Sequence, residues 1–413
     1  MSQPQRLKVL IVASWYPRPG SPQHGIFIQQ QAEALATVCD VAVLHVLQGE
    51  RLVQPHVSQE GDITVVRIGL ELPKEPKTRI QHLRMLKGIT YDYTRACLRA
   101  SDTLFSTWGR PDIVHGHASM PGALGSRAIS LRLRIPYVIT EHQAEFLLDS
   151  PGFSDRGGRL MPALVKRAMR GASAMIAVSS RLARDIAAGG YHSDPTVIPN
   201  IVPGVEIGSV PFSGSATDVP RILHVSLLRA YEKNIPMLLQ ALQAVDRSGV
   251  DYAFTFVGDG PDRGQLEALA ESLGLLGRRV EFIGARNSQE VRSLFSTSSF
   301  SVVSSRYETF CMVAAESLAA GRPLVCTRCG GPEDFVDDTV GLLVENDNSS
   351  AMAEAIGWMI ERYRDYDPAK LHQHAFDRFS PQVVVPRIVN LYRSVLESAS
   401  ARTSDSDPTC GGE

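Results

Sequence analysis

The chain has 413 residues, of which 44% are hydrophobic and 21% charged, and its formal net charge is -2 at pH 7. These figures are typical of a globular protein with two or three domains, and the charge gives no indication of a nucleic-acid partner. No apolar stretch approaches the roughly 20 residues that a membrane-spanning helix needs, and the first residues predict a strand rather than a signal peptide.

Short apolar runs alternate with segments of helical spacing along the whole chain, which predicts an α/β protein with doubly wound parallel sheets. The strands predicted in the first half are Lys8–Ala13, Val41–Val46, Thr64–Ile68, Asp112–His115, Tyr137–Thr140, Met175–Val178 and Pro195–Ile198. Those predicted in the second half are Arg221–Val225, Tyr252–Val257, Val280–Ile283, Phe300–Val303, Pro323–Cys326 and Gly341–Val344.

One stretch interrupts this alternation, because residues 199–220 are rich in Pro, Gly and Ser and show no helical period. We therefore predict one Rossmann-like domain over residues 1–205 and a second over residues 206–382. A final helix over residues 383–398 is expected to pack back on the first domain. The polar tail, residues 399–413, is expected to be disordered.

The six cysteines are scattered and few for this length, which predicts free thiols in a reducing cytosol rather than a disulfide framework. They are Cys39, Cys97, Cys311, Cys326, Cys329 and Cys410. The Cys326–Cys329 spacing lacks the second ligand pair of a metal site, so we interpret Cys326 as the end of a buried strand.

Polar, charged and glycine residues follow most predicted strands, at the edge where open α/β sheets bind ligands. They include Gly116, His117, Glu141 and His142 in the first half, and Ser226–Arg229, Gly258–Gly260, Gly284, Arg286 and Ser304–Glu308 in the second. Two sheets with such edges facing each other would form a polar cleft.

The segment from Ser304 to Gly321 carries two glutamates in a strand–turn–helix pattern. The helix is predicted to begin near Thr309 and to end before Gly321, and its first N–H groups favour an anion. Glu308 and Glu316 would then lie about 12 Å apart and could contact hydroxyls at the two ends of an extended ligand. The alternative is two surface glutamates on one helix face.

Two cations, Arg229 and Lys233, lie four residues apart in the turn that follows a predicted strand. Such a pair can neutralise a diphosphate and stabilise a departing phosphate, although a solvated pair is the simpler alternative. The tight turn Gly258–Gly260 allows a flat ring to approach the backbone. The first strand is not followed by GxGxxG, which argues against an NAD-binding first domain.

In their order and spacing, these stretches resemble the family 4 glycosyltransferases, which have the GT-B fold of two Rossmann-like domains facing a central cleft. The matching pieces, between about Lys8 and Val344, are HGIFIQQQAEAL, DIVHGH, VITEH, AVSS, VIPN, RILHVSLLRAYEKN, FVGDGP, VEFIGA, the run from Glu308 to Glu316, and GRPLVCTRCGGPEDFV. The opening SWYPRPGSPQHGIFIQQQ also resembles the start of enzymes that build cell-envelope polysaccharides.

The resemblance implies that the second domain binds a nucleotide-diphosphate sugar, a UDP- or GDP-sugar, and that the first binds a glycan or lipid-linked acceptor. It implies transfer with retention by front-face displacement, in which the departing phosphate takes the acceptor proton. Neither a metal nor a cofactor is expected, and His115 and His117 lack a further clear ligand set. The expected location is the cytoplasm.

The resemblance also assigns roles to residues that match the family's motifs. Arg229 and Lys233 would hold the donor diphosphate, and Glu316 would bind the ribose hydroxyls. Glu308 would hold the sugar, together with the backbone near Phe310 and Cys311.

Further positions take their roles from the same likeness. The Gly258–Gly260 turn, which includes Asp259, would lie beside the base, and Arg286 is counted with the donor-binding residues. His117 would lie near the sugar, and Gly25 matches a glycine loop near the donor phosphates and the acceptor. That loop has His24 where the family commonly has a second glycine, and Asn200 lacks the usual Gly-Val-Asp after it, so the contacts of both loops stay open.

Two other functions fit the same sequence. One is a sugar-nucleotide 2-epimerase on the same fold, which product analysis with and without acceptor would separate from a transferase. The other is a non-catalytic scaffold that binds nucleotide sugar. The simultaneous presence of Arg229, Lys233, Glu308 and Glu316 speaks against the scaffold.

Residues 79–100 predict a helix of the first domain with Arg84, Lys87, Tyr91 and Arg95 on one face, and with Ile80, Leu83 and Leu86 directed partly elsewhere. Such a basic stripe can bind an anionic bilayer, at about 1 kcal/mol per basic residue. Lys166, Arg167 and Arg170 would add to it, and the protein would be peripheral on the inner face of the plasma membrane. The alternative is a solvated helix face on a cytosolic enzyme with a soluble acceptor.

Overall fold

The computed structural model of the chain describes residues 6–18, 20–50, 53–71, 79–148, 150, 160–205 and 219–404. The chain divides into two compact units, one formed by Met1–Ile198 with Val384–Glu413 and the other by Pro199–Val383. The chain therefore passes from the first unit at residue 198, earlier than the predicted residue 205. The reason is local, because the Val202 N–H donates to the Phe379 carbonyl oxygen of the second unit at 3.1 Å.

The first unit contains an eight-stranded sheet in the order β3-β4-β2-β1-β5-β6-β7-β8. Its strands are β1 (Lys8–Ala13), β2 (Asp40–Gln48), β3 (His56–Glu60), β4 (Ile63–Leu70), β5 (Ile113–His117), β6 (Tyr137–Glu141), β7 (Ala174–Ala177) and β8 (Thr196–Val197). Neighbouring strands are parallel except β3 and β4. The buried run KVLIVA of β1 has the composition expected of a strand covered on both faces.

The sequence does not predict β3, because HVSQE is polar and carries no apolar run. The strand forms the edge of the sheet and pairs antiparallel with β4, a position that tolerates solvent on one face. Its residues are half-buried or exposed.

Helices cover this sheet, and most follow the strands in the predicted alternation. They are α1 (Ile26–Ala36), α2 (Arg79–Lys87), α3 (Tyr93–Thr107), α4 (Ser119–Leu133), α5 (Leu160–Arg170) and α6 (Ser180–Ala188). Residues 79–100 are helical throughout, as predicted, but the helix is not a regular α-helix, because a π-helical turn, Gly88–Asp92, separates α2 from α3. Within that turn the Thr90 hydroxyl donates to the Leu86 carbonyl oxygen at 2.8 Å and so competes for a backbone acceptor.

The second unit contains a six-stranded parallel sheet in the order β11-β10-β9-β12-β13-β14. Its strands are β9 (Arg221–Val225), β10 (Ala253–Val257), β11 (Val280–Phe282), β12 (Phe300–Val303), β13 (Leu324–Thr327) and β14 (Gly341–Val344). Its helices are α7 (Ile235–Arg247), α8 (Arg263–Ser272), α9 (Ser288–Thr297), α10 (Met312–Ala319), α11 (Ser349–Arg362) and α12 (Pro368–Phe379). Apolar side chains of β9, β10, α7 and α11 form one buried core.

Two helix ends differ from the predictions. The helix α10 begins at Met312 rather than near Thr309, because Cys311 has φ 74°, a left-handed conformation that cannot continue a helix. The last helix, α13 (Pro381–Ser404), includes residues 399–404 of the predicted tail. The sequence SASARTS contains no helix breaker, and the next proline is Pro408.

Within the part of the chain that the structure describes, no helix combines the length and the apolar character needed to cross a membrane.

Candidate active site

Each sheet has a topological switch point, where the later strands continue on the other side of the first strand. In the second unit, β10 and β11 lie on one side of β9, while β12, β13 and β14 lie on the other. In the first unit, the same change occurs between β1 and β5. Ligands of open α/β sheets bind beyond the carboxyl ends of the strands at such points. The loops that carry the predicted residues begin there, after β1, β5, β9 and β12.

The structure joins Lys233 directly to Glu308. The Lys233 Nζ lies 2.6 Å from Glu308 Oε1, and the Ser305 hydroxyl donates to the same oxygen at 2.7 Å. Burial alone would lower the pKa of Lys233, but the adjacent Glu308 carboxylate outweighs burial and raises the pKa above its usual value. The side chain therefore stays an ammonium ion at neutral pH. It lies on the loop after β9, at the topological switch point of the second sheet.

The loop that carries both cations is held by Arg306, a residue that the sequence does not single out. Its Nε donates to the Tyr231 carbonyl oxygen at 3.1 Å, and its Nη2 donates to Asn234 Oδ1 at 2.9 Å. Its own backbone N–H donates to the Glu232 carbonyl oxygen at 2.9 Å. The guanidinium also pairs with Asp347, with 2.7 Å between Nη2 and Oδ1. These contacts fix the backbone on both sides of Lys233.

Arg229 differs from Lys233 in exposure. Its side chain is 47% exposed, and its one ion pair within the described chain joins its Nη1 to Glu232 Oε1 at 3.0 Å. An exposed pair of this kind contributes about 0–1 kcal/mol, so a ligand can replace it at little cost. The guanidinium is thus available to an anion, while Lys233 is already engaged.

The backbone around Glu308 forms a bridge to the loop after β13. The Glu308 N–H donates to the Cys329 carbonyl oxygen at 2.7 Å, and the Gly331 N–H donates to the Glu308 carbonyl oxygen at 2.9 Å. The following Phe310 is buried against Phe335 and Phe379, with ring centroids 5.6 and 5.3 Å away. The left-handed Cys311 then turns the chain into α10.

Glu316 lies in the second turn of α10 and is half-buried. Its carboxylate makes no hydrogen bond or ion pair with another described residue. Burial raises the pKa of Glu316 to about 7, and the charge of Arg292 opposes that shift. The group is therefore a hydrogen-bond acceptor whose charge changes near neutral pH.

The turn Gly258–Gly260 packs against the loop that follows β9. Gly258 has φ 131°, and a Cβ added to it would lie 1.8 Å from the Ser226 carbonyl oxygen. The Leu228 N–H donates to the Asp259 carbonyl oxygen at 3.0 Å. Only glycine permits this approach of two backbones, so the turn and the Arg229 loop form one structure.

Arg286, by contrast, takes no part in these contacts. It follows β11 and is exposed, and its Nη1 donates to the carbonyl oxygen of its own neighbour Ala285 at 2.9 Å.

In the first unit, Gly25 begins α1 and allows the loop after β1 to fold back on itself. It has φ 76°, and an added Cβ would lie 2.5 Å from the Trp15 carbonyl carbon. The side chain of His24 packs on the Trp15 ring, with centroids 6.0 Å apart. The Phe27 ring of α1 lies 4.7 Å from the His142 ring, so α1 reaches the loop that follows β6.

Three histidines stack at the carboxyl ends of β5 and β6. The rings of His115 and His117 lie 4.2 Å apart, and those of His117 and His142 lie 5.4 Å apart. The Nδ1 of His117 is 3.1 Å from the Nε2 of His142. The Nε2 of His117 is buried and has no hydrogen-bond partner among the described residues, which is uncommon for a buried polar atom.

A buried carboxylate, Glu141, orders the loops beside these histidines. It accepts backbone N–H bonds from Ser119 at 3.0 Å and from His142 and Gln143, each at 2.8 Å. Burial raises the pKa of Glu141 to about 7, against the opposing effect of these hydrogen bonds. The sequence shows Glu141 at a strand end but gives no indication of this structural role.

Comparison with known proteins gives matches on both units. A family model described as glycosyl transferases group 1 matches residues 210–375, and one described as glycosyl transferase 4-like domain matches residues 24–201. The D-inositol 3-phosphate glycosyltransferase 1 of Catenulispora acidiphila is 27% identical over 97% of this chain and 98% of its own length. The chain belongs to the family 4 glycosyltransferases. It is therefore a glycosyltransferase enzyme.

Solved structures of similar fold confirm the predicted GT-B architecture of this glycosyltransferase. Sucrose-phosphate synthase from Thermosynechococcus elongatus has a TM-score of 0.72 at 18% identity, over 95% of this chain and 100% of that one. Anabaena HepE, determined in complex with UDP, has a TM-score of 0.67 at 19% identity, over 94% of this chain and 100% of that one.

The described residues of the glycosyltransferase contain no group of three or more His, Cys, Asp or Glu side chains that could hold a metal ion. The described cysteines are free and buried. Cys326 lies within β13 and is fully buried.

Proposed function

We propose that this glycosyltransferase moves a sugar, with retention at the anomeric carbon, from a UDP- or GDP-sugar to a hydroxyl of a glycan or lipid-linked acceptor of cell-envelope polysaccharide synthesis. The observation that carries the proposal is the Lys233–Glu308 ion pair at the topological switch point of the second sheet. The exposed guanidinium of Arg229 lies on the same loop as Lys233.

The chemistry follows from where charge develops. As the bond between the anomeric carbon and the phosphate oxygen breaks, negative charge grows on the departing nucleotide diphosphate, and Arg229 and Lys233 stabilise that charge. The acceptor oxygen bonds to the anomeric carbon on the same face, and its proton passes to the departing phosphate oxygen. The Glu308 carboxylate accepts hydrogen bonds from the sugar, assisted by backbone N–H groups near Phe310 and Cys311.

Other residues complete the proposed donor and acceptor contacts. Glu316 binds the ribose hydroxyls, and the Gly258–Gly260 turn lies beside the base, with Asp259 in the turn and Arg286 on the next loop. The unpartnered Nε2 of His117 contacts a hydroxyl of the transferred sugar, and the Gly25 loop approaches the phosphates and the acceptor. No metal or cofactor takes part in this scheme.

Relatives support the substrate classes. Anabaena HepE has been solved with UDP-glucose, at 19% identity and a TM-score of 0.67. A Bacillus subtilis protein named as a teichuronic acid biosynthesis glycosyltransferase, TuaC, is 25% identical over 85% of this chain and 88% of its own length. The free buried thiols suit a reducing compartment, and we propose that the enzyme works in the cytoplasm.

A panel of UDP-, GDP- and ADP-sugars, incubated with and without acceptor extracts and followed by NMR, tests this function. We expect slow donor hydrolysis with one class of nucleotide sugar, faster release with acceptor, and a product whose anomeric configuration is that of the donor. Inversion, epimerised nucleotide sugar, or binding without turnover would each contradict the proposal.

We expect Glu316→Ala to weaken nucleotide-diphosphate binding by roughly ten- to a hundredfold, because a hydrogen bond to a charged group is lost. Its kcat should change little, since ribose contacts are nearly equal in the ground and transition states. Glu308→Ala should lower kcat as well. Titration calorimetry measures the affinity, with the exposed Glu354→Ala as control. Unchanged affinity in the Glu316 variant would refute the ribose contact.

The raised pKa of Glu316 gives this contact a pH dependence. Because burial raises that pKa to about 7, the carboxylate is partly protonated at neutral pH and accepts hydroxyl hydrogen bonds better at higher pH. Nucleotide affinity should therefore increase between about pH 6 and pH 8. In Glu316→Gln, the increase in affinity that comes from this carboxylate should disappear. An increase caused by titration of the nucleotide itself would remain in both proteins.

The structure describes most of the side chains of the surface proposed to contact a membrane. Arg84, Lys87, Tyr91 and Arg95 are all exposed, and the Lys87 Nζ lies 5.8 Å from the centroid of the Tyr91 ring. Leu86 is half-buried, while the side chains of Ile80 and Leu83 lie outside the described residues.

Two of the three basic residues of α5 that we expect to add to this surface, Lys166 and Arg170, also form hydrogen bonds within the first unit. The Lys166 Nζ donates to the Gly189 carbonyl oxygen and the Arg170 Nε donates to that of Gly190, each at 2.7 Å. These bonds fix the turn after α6, while the side chains of Arg167 and Arg170 remain exposed, so the contribution of α5 to membrane binding stays a prediction.

We expect the protein to co-sediment with anionic vesicles at low salt and to leave them at high salt, because Arg84, Lys87 and Arg95 are attracted to the surface. Changing these three to Glu should reduce binding by at least roughly a hundredfold, at about 1 kcal/mol for each charge removed. A variant with Glu at Arg247, Arg362 and Lys370 of the second unit is the matched control. Absence of binding by the unchanged protein at low salt would rule out the membrane contact.

A further inference from the structure

The last helix of the chain contacts the histidine stack of the first unit. The Tyr392 hydroxyl of α13 lies 2.5 Å from the Nδ1 of His115, and the two rings meet edge to face with centroids 5.6 Å apart. Both side chains are fully buried. The proposed transfer chemistry does not involve Tyr392.

His115 is held at both of its nitrogens. Opposite Tyr392, the Nε2 of His115 lies 2.7 Å from the Thr140 hydroxyl. Burial lowers the pKa of His115 well below its usual value, so the ring is neutral, with one nitrogen donating and the other accepting. Because burial also raises the pKa of Tyr392, its hydroxyl keeps its proton. The two hydroxyls together fix the plane of the His115 ring.

The fixed His115 ring in turn supports His117. The two residues lie two apart on β5, so their side chains leave the same face of the sheet. Their ring centroids are 4.2 Å apart at an interplanar angle of 40°. On its other side, His117 is fixed by the contact of its Nδ1 with His142 at 3.1 Å. The Nε2 of His117, by contrast, is buried and has no hydrogen-bond partner among the described residues.

We propose that Tyr392 is a positioning residue, which acts through His115 to hold the His117 ring with its unpartnered Nε2 presented to the substrate. This inference rests on the proposed contact of His117 with the transferred sugar. Without the Tyr392 hydroxyl, the buried Nδ1 of His115 loses its partner, and the ring can turn beneath His117.

Tyr392→Phe tests the inference, because it removes the hydroxyl and keeps the ring. We expect kcat for transfer to decrease about three- to tenfold, the effect of one hydrogen bond, while the KM for the donor changes less than about twofold. Tyr137→Phe is the matched control, since the Tyr137 hydroxyl donates to the Ala168 carbonyl oxygen at 2.5 Å at the opposite end of the same sheet. That variant should leave kcat unchanged.

Combination with His117→Ala separates positioning from general damage. If Tyr392 acts through His117, adding Tyr392→Phe to His117→Ala should lower kcat no further. An equal loss in both backgrounds, or an equal loss in Tyr137→Phe, would overturn the inference. If Tyr392→Phe does not fold, Thr140→Val removes the other hydroxyl that holds His115 and should give the same kinetic result; a normal kcat there would also overturn it.

A readout without substrate keeps this inference distinct from the proposed function. In protein labelled with 15N-histidine, the imidazole nitrogen shifts of His117 should change in Tyr392→Phe and stay the same in Tyr137→Phe. If no sugar nucleotide is turned over by the unchanged protein, the proposed function fails while this measurement still applies. Unaltered His117 shifts in a folded Tyr392→Phe protein would contradict the positioning role.

Discussion

Lys233→Ala should reduce kcat for sugar transfer by at least roughly a hundredfold, as loss of one preorganised charge-stabilising donor commonly does. The ammonium group stays protonated beside Glu308, and in the proposed mechanism it stabilises the charge that develops on the departing phosphate. Steady-state kinetics with a saturating donor measures the effect. Lys370→Ala, an exposed lysine of the same unit, should have no effect on kcat.

Loss of stability must be separated from loss of chemistry in this variant. The Lys233 and Glu308 side chains are only 22% and 17% exposed, so removing the cation leaves a carboxylate nearly buried without its partner. We expect a loss of about 2–4 kcal/mol in the free energy of unfolding. Adding Glu308→Gln removes the uncompensated charge and should recover stability but not turnover. Recovery of turnover in the double variant would contradict the catalytic role of Lys233.

Arg229→Ala should give a similar kinetic loss, at least roughly a hundredfold in kcat, with almost no loss of stability. Its guanidinium is 47% exposed and pairs with Glu232 on the surface, which contributes about 0–1 kcal/mol. Thermal unfolding and kinetics on the same preparation separate the two effects. Arg229→Lys keeps the charge but loses the planar fork, so an intermediate kcat is expected.

Arg247→Ala is the control for Arg229. Arg247 lies in the last turn of α7, is exposed, and forms no ion pair with a described residue. Near-normal turnover in folded Arg229→Ala would show that this arginine does not hold the diphosphate. In that case the charge stabilisation would have to come from Lys233 and from backbone N–H groups.

The sequence predicts the fold well because both sheets consist mainly of continuous apolar runs. It also suggests most of the candidate residues, since they lie in loops that follow a strand whose end is marked by a change to polar or glycine residues, whereas Glu316 lies inside α10. The errors occur where local chemistry overrides that pattern. The polar edge strand β3 has no apolar run, the Thr90 hydroxyl disturbs a regular helix, and the left-handed Cys311 delays the start of α10.

Contacts between distant segments could not be predicted in the same way. The sequence suggests Lys233 and Glu308 as separate ligand contacts, but they are 75 residues apart and nothing in their spacing indicates that they pair with each other. The contacts of Arg306 with the cation loop join segments more than 70 residues apart. Such partners become visible only when the sheet order brings β9 beside β12.

The discontinuity of the first unit has a consequence for biosynthesis. Tyr392 and the rest of the segment that returns to the first unit at Val384 leave the ribosome only after the whole of Pro199–Val383 has been made. At about 5–20 residues per second, this interval lasts on the order of ten to forty seconds. During that time the first unit can form most of its sheet, but the Nδ1 of His115 lacks its partner. The nascent first unit therefore stays incomplete until α13 has been made, and an N-terminal fragment should need α13 supplied as a separate peptide.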